Sequence, residues 1–284
     1  MLIENISDTA RWVAFYRAME SERPDAIFND PFARRLAGER GEQIVDNMKS
    51  GRAMAWAMIV RTAVFDEIIL DTISSYGIDT VINLAAGLDT RAWRLPLSPS
   101  LRWIDVDLPG IMDYKVETLR DSRPVCEYEA VRLDLTDDAA RKALFVRLGA
   151  ASNTTLVVTE GLLIYLTSEQ VGRLATDLHA SPSFRFWLID LASPRLLAIM
   201  ERAWGKSVKK GNAPFQFAPP EGTTFFQTFG WRESQFRSAM DEAHRLHREM
   251  RMMWLWRAMA RLYPASKREE FHRMSGIVLL ERQQ

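Results

Sequence analysis

The chain has 284 residues, 47% hydrophobic and 26% charged, a profile that fits one large globular domain or a domain with a helical cap. Lysine plus arginine and aspartate plus glutamate both number 37, so the formal net charge is +0, which argues against a nucleic-acid partner. The single cysteine, Cys126, excludes an internal disulfide and a cysteine-cluster metal site.

From the N-terminus, MLIENISDTARW lacks the basic start and apolar core of a signal peptide. No apolar run reaches the roughly 18 residues of a spanning helix; a cytoplasmic protein without membrane attachment is expected. Ser7 to Glu20 predicts a helix capped by Ser7 or Asp8, with Trp12, Phe15, Tyr16 and Met19 on one face. SERPDAIFNDPFARRLAG then gives a loop through Pro24, a turn at Asn29-Asp30-Pro31 and a short helix ended by Gly38. Met54 to Tyr76 is a long helix closed by Gly77. Arg61 lies in its apolar stretch MIVRTAVF, where a guanidinium needs an anionic partner. Its fork of donors suits a carboxylate, of a ligand or of the fold itself, with Asp66 a candidate.

The stretch DTVINLAAGLDTRAWRLPLSPSLRWIDVD, residues 79–107, carries the strongest pattern. An apolar strand, Val81 to Ala86, ends at Gly87. A turn and short helical segment, Leu88 to Leu95, lead past Pro96 and Pro99 to a second strand, Leu101 to Val106, which ends in Asp107. This is the opening unit of a doubly wound α/β fold that binds a nucleotide. Gly87 lets the backbone approach a ligand, and Asp107, roughly 20 residues on, can accept both ribose hydroxyls. A dinucleotide enzyme would carry G-x-G-x-x-G here; one glycine leaves little room for a pyrophosphate.

Ile111 to Arg120 follows as a crossover helix and Val125 to Leu133 as the third strand. Asp134 and Thr136 are candidate caps for the helix Asp137 to Leu148. Thr154 to Thr159 is the fourth strand, and Glu160 closes it at the end where such sheets bind ligands. Thr167-Ser168-Glu169 starts a helix with capping-box character, and Phe184 to Leu191 is the fifth strand. Residues 192–230 read as an inserted lid or a solvated surface loop: a helical piece, Pro194 to Trp204, then GKSVKKGNAPFQFAPPEG, then a helix, Pro220 to Phe229, stopped by Gly230. Trp231 to Phe236 is the sixth strand, basic amphipathic helices run to Arg273, and Ser275 to Glu281 is the last strand. The stripe Met250, Met252, Met253, Trp254, Trp256, Met259 is first of all core, with a pocket wall as the alternative. His179, His244, His247 and His272 are scattered, so no metal site is expected, and no G-x-S-x-G elbow or Walker-type loop occurs.

LAAGLDTRAWRL followed by WIDVDLP resembles the S-adenosylmethionine (SAM) site of the leucine carboxyl methyltransferase family, which includes bacterial polyketide O-methyltransferases. LVVTEGLLIYLTSEQV and SERPDAIFNDPFARRLAG carry the resemblance further, over nearly the whole chain. It implies an α/β class I methyltransferase fold: a Rossmann-like, doubly wound seven-stranded sheet whose last strand is antiparallel, with N-terminal helices closing over the active site. The chain would be a single domain, with a helical cap at 1–76, a cofactor core at 77–191, a lid at 192–230 and C-terminal helices and strand at 231–284. The implied cofactor is SAM. Arg61 would hold its methionine carboxylate, Ala85 and Gly87 contact it by backbone, Asp107 take the ribose, Asp134 and Leu135 the adenine, and Glu160 sit beside the methionyl part. Tyr165, Tyr16 and Arg17 would face the substrate. The family usually has glycine where Ala85 stands.

The implied reaction is O-methylation of a carboxyl or hydroxyl group on a small-molecule acceptor such as a polyketide-like metabolite. Such a displacement can be driven mostly by positioning. A carboxylate, with a pKa of about 4, is already ionised at neutral pH, whereas a phenol near 10 needs a base. No catalytic base stands out in the sequence, which favours a carboxylate acceptor. The alternative is a non-catalytic protein that keeps the fold as an interaction module.

Overall fold

The computed structural model describes residues 6–48, 51–210, 214–250, 253 and 263–283. Within them the helices are α1 (Ile6–Ser21), α2 (Ala33–Asn47), α3 (Ala55–Tyr76), α4 (Arg91–Arg94), α5 (Pro109–Leu119), α6 (Asp138–Ala150), α7 (Ser168–His179), α8 (Pro194–Lys210), α9 (Ala239–Arg245) and α10 (Ala265–His272). The strands are β1 (Thr80–Leu84), β2 (Arg102–Asp107), β3 (Glu127–Arg132), β4 (Thr155–Thr159), β5 (Phe184–Ala192), β6 (Trp231–Ser238) and β7 (Ser275–Arg282). They form one seven-stranded sheet in the order β3-β2-β1-β4-β5-β7-β6. The first five strands pair in parallel, and β7 runs antiparallel between β5 and β6.

Composition explains the strand positions. β1, TVINL, and β4, TLVVT, bury every side chain and sit at the centre, where a parallel strand covered on both faces reads as a run rather than an alternation. β3, EYEAVR, exposes both ends and takes an edge. Alternate residues of each strand feed two cores. Val81, Trp103, Leu156 and Phe186 pack with Val60, Val64 and Ile68 of α3 on one face. Ile82, Ile104, Val157 and Trp187 pack with Leu144 and Leu148 of α6 and Leu174 and Leu178 of α7 on the other.

Several boundaries differ from the sequence reading. Gly38 kinks α2 rather than ending it: its φ of 57° and ψ of −174° break the helical path, and the helix resumes to Asn47. α6 is capped by Asp137, which accepts from the N–H of Ala139 and Ala140; Thr136 lies one residue and Asp134 three residues too early. The capping box of α7 is closed by Gln170 and Thr167, not by an acid. α8 continues past Trp204 to Lys210, and residues 222–229 form a 3₁₀ helix before Gly230.

The N-terminal helix is tied to the segment after α9. Glu20 of α1, fully buried, receives the Arg248 guanidinium at 2.8 Å, and Arg248 is itself 8% exposed. A buried carboxylate is tolerated only with such a partner.

Candidate active site

Five neighbouring strands bring their carboxyl ends to one crevice, at the point where the strand order reverses between β1 and β4. A cavity of about 1290 Å³ opens there. Ala85, Gly87 and Asp89 after β1, Asp107 of β2, Asp134 and Leu135 after β3, Glu160 after β4 and Asp190 of β5 all line it, as does Arg61 of α3. The strand-end residues picked from the sequence therefore surround a single space.

Asp107 closes the turn it faces. Its Oδ2 accepts from Gly87 N–H at 2.6 Å and its Oδ1 from Leu108 N–H at 2.7 Å. A carboxylate offers about four lone-pair sites, so hydroxyl donors can still be accepted. Burial pushes the Asp107 carboxyl above its ordinary value, against the pull of those two donors. Gly87 has a φ of 50°, and a Cβ there would lie 3.2 Å from the Ala10 Cβ, so α1 lies directly over the turn. Ala85 adopts a φ of 53° with a side chain present. That conformation costs an L-residue roughly 1–2 kcal/mol. Ala85→Gly is expected to raise stability by about 0.5–1 kcal/mol once glycine's extra freedom in the unfolded chain is counted. Urea unfolding reads this as a higher midpoint at unchanged slope; an equal or lower midpoint would place the strain elsewhere.

Asp134 is exposed, and its Oδ1 accepts from the N–H and hydroxyl of Thr136. Glu160 sits between two guanidinium groups: Oε1 accepts from Arg61 Nε at 2.9 Å, and Oε2 lies 2.8 Å from Arg91 Nη1. Burial opposes its ionisation, but Arg91 and Arg61 outweigh it and hold the carboxyl below its ordinary value. Arg61 also donates from Nη1 to Asp190 Oδ2 at 3.2 Å. It thus uses two of its five N–H donors on the fold and keeps the rest. Gly161 follows with a φ of 69°; its N–H reaches Asp190 Oδ1 at 2.6 Å, and a Cβ would come within 3.1 Å of Arg61 Nη1.

Asp66 is not the partner of Arg61. It binds Arg94 through both oxygens, at 2.6 and 2.8 Å, and Arg91 Nε at 2.6 Å. Arg91 also reaches Asp89 Oδ2 at 2.6 Å. Behind them Asn83 bridges Asp89 to Asp105, which pairs with the buried Lys115 at 2.6 Å. Sequence reasoning gave Asp66 the wrong partner and missed Asp89, Arg91, Arg94 and Asp190. Asp190 carried the signal that marked Glu160, an acid in an apolar run. The arginines of TRAWRL carried none, since two charges three apart also describe a solvated helix.

The substrate-side residues divide. Tyr165 lines the cavity, half-buried, its hydroxyl hydrogen-bonded to Thr9 and its ring 5.8 Å from Phe215. Burial pushes its pKa up to about 12, so it keeps its proton at neutral pH. Arg17 also lines the cavity, but as a strut: it donates to Asp30 Oδ2 at 2.8 Å and to the Leu88 carbonyl in the glycine turn. Tyr16 does not reach the cavity wall. It is fully buried and donates to the Gly51 carbonyl at 2.6 Å, because adjacent helix residues point about 100° apart. Of the methionine–tryptophan stripe, Met250 and Met253 line the cavity, while Met252, Trp254, Trp256 and Met259 lie outside the described residues. No histidine, cysteine or lysine is among the described lining residues.

This strand order with ligand-facing strand ends defines the class I methyltransferase fold. Two solved structures share it across the chain at 13% identity and a TM-score of 0.61. One is a DUF574 family protein from Streptomyces avermitilis, covering 97% of each chain. The other is a protein from Thermobifida fusca solved under an inferred methyltransferase name, covering 100% of this chain and 97% of that one. The chain belongs to the leucine carboxyl methyltransferase family, whose model matches residues 10–179. A Parafrankia protein with the inferred name S-adenosyl-L-methionine-dependent methyltransferase is 36% identical over 197 residues, 65% of this chain and 63% of that protein. A Streptomyces coelicolor protein with the same inferred name is 36% identical over 173 residues, 57% of this chain and 60% of that one.

Proposed function

We propose that this protein binds SAM at the strand ends and methylates a carboxylate on a small-molecule acceptor. The observation that carries this is the convergence of Asp107, Asp134, Glu160 and Arg61 on one cavity. The donor set suits the ligand: a half-buried carboxylate for a ribose diol, an exposed acid beside Leu133 and Leu135 for an adenine, and Arg61 with Glu160 and Asp190 for an amino-acid zwitterion. Bound SAM supplies an electrophilic methyl group on a sulfonium. Arg61 would orient the donor's carboxylate through its remaining N–H groups, and Glu160 or Asp190 would receive its ammonium. α1, held on the turn by Arg17, would keep water from the reacting atoms. The acceptor oxygen bonds to the methyl carbon as the carbon–sulfur bond breaks and sulfur keeps that electron pair. The products are a methyl ester and S-adenosylhomocysteine. With Tyr165 protonated and no histidine, cysteine or lysine among the described lining residues, an acceptor that arrives ionised is favoured.

Calorimetric titration with SAM tests binding, and methyl-labelled SAM with a panel of acids and phenols tests transfer. The expected product loses its label as methanol in alkali, as an ester does and an ether does not. SAM bound with no transfer to any acceptor would favour a non-catalytic module. The same titration run against pH gives a second expected result. The ionised form of Asp107 accepts the ribose hydroxyls. SAM affinity should therefore fall as pH drops through the raised Asp107 value, by about tenfold per pH unit, while Glu160 remains charged. Asp107→Asn should flatten that profile; an unchanged profile would assign it to another group.

A further inference from the structure

We infer that the part of this cavity away from the strand ends is a chamber for a bulky, mostly apolar carboxylic acid, built to admit many shapes rather than one. This deepens the methyl-transfer reading and rests on it. The space is too large for a single occupant: about 1290 Å³, against about 300–1000 Å³ for a site holding one drug-sized ligand. Its lining combines two chemistries. Carboxylates come from the ends of β1, β2, β3, β4 and β5. The apolar part draws on more than half of the chain's 13 methionines. Met54 and Met58 enter from the start of α3, Met200 from α8 and Met240 from α9; Met250, Met253 and Met274 enter from the C-terminal region. These segments are remote in sequence, so no single helix face accounts for the clustering.

Trp12, Trp56, Tyr165, Phe215 and Phe217 also line the cavity, and rigid rings alone would fix one outline. Methionine is unbranched, has three rotatable bonds and a polarizable thioether, and repacks around irregular apolar shapes. Seven such side chains around one space make a compliant surface. One charge interrupts it. Arg17, Arg61, Arg91, Arg94, Arg141 and Arg173 line the cavity and each pairs with a carboxylate. Arg202, exposed on α8, also lines it, and no carboxylate among the described residues lies within ion-pair distance. An entering anion thus meets a cation that no described carboxylate neutralises, with apolar surface beside it.

The test is methyl transfer by the whole protein to a graded series: acetate, hexanoate, decanoate, 2-naphthoate and biphenyl-4-carboxylate. The expected kcat/KM rises by about fourfold per added buried methylene along the linear acids, and both ring acids are also methylated. In Met200→Gln/Met240→Gln the decanoate-to-acetate ratio should fall about tenfold while the calorimetric SAM affinity is unchanged. A flat dependence on chain length, transfer to one outline alone, or equal loss on all acids would overturn the chamber. Where no acid is methylated, displacement of the fluorescent probe 1-anilinonaphthalene-8-sulfonate by decanoate from the SAM-bound protein decides it, and no displacement overturns it. Absence of SAM binding would instead remove the methyl-transfer reading, and the chamber with it.

Discussion

Arg91→Met is expected to destabilise the protein by about 3–5 kcal/mol, the cost of breaking a buried ion pair by removing one partner. Arg91 is 2% exposed and touches Asp66, Asp89 and Glu160. The three carboxylates do not suffer equally. Asp66 keeps Arg94 and Glu160 keeps Arg61, but Asp89 is left with the Asn83 amide and a backbone N–H. In the parent, burial works against the Asp89 charge and Arg91 leads the cations that hold its carboxyl well below the usual range. Asp89 therefore adds stability above its unfolded value and withdraws it in acid. In the variant the folded value rises: Lys115, Arg94 and Arg17 remain, but the leading cation is gone, so less stability is withdrawn as pH falls. Urea unfolding at pH 7 and pH 5 should show the gap between variant and parent narrowing in acid, and Asp89→Asn on top of Arg91→Met should recover part of the loss. A gap that widens in acid would make another carboxylate the injured one.

Asp107→Ala is expected to weaken SAM binding by at least about 100-fold. Two hydrogen bonds to an ionised group at about 1.5–3 kcal/mol each carry that much affinity, with 1.4 kcal/mol per factor of ten. The same change frees the N–H groups of Gly87 and Leu108, so some stability falls too. Calorimetry and a thermal melt on the same sample separate the two effects. A folded Asp107→Ala protein that binds SAM as well as its parent would remove the ribose assignment.

Both residues bear on what a sequence can disclose. Asp107 was legible because a local rule, strand–glycine–strand–acid, fixes its place within some twenty residues. Arg91 was not, because its partners lie at positions 66 and 160 and only the closed sheet brings them near. Arg61 shows the same limit in a milder form. Its need for an anion follows from the apolar stretch around it, yet the anions are Glu160 and Asp190, 99 and 129 positions away, rather than nearby Asp66. The doubly wound sheet came from pattern and resemblance together, and the antiparallel last strand from the resemblance. Tyr16 failed for a rotational reason: periodicity identifies the buried stripe of α1 but not which neighbour in it faces a core and which a cavity. Gly38 failed because a left-handed glycine ends a helix or merely bends it according to what the next turn packs against.

The joining of Glu20 to Arg248 bears on the order of synthesis. α1 roofs the glycine turn, yet apart from half-exposed Arg23 its buried carboxylate has no cation until residue 248 has been made. The ligand cradle at the strand ends can form once β5 has been made, but its cover is latched only after residue 248 has followed. A nascent chain paused before that point would hold an open crevice.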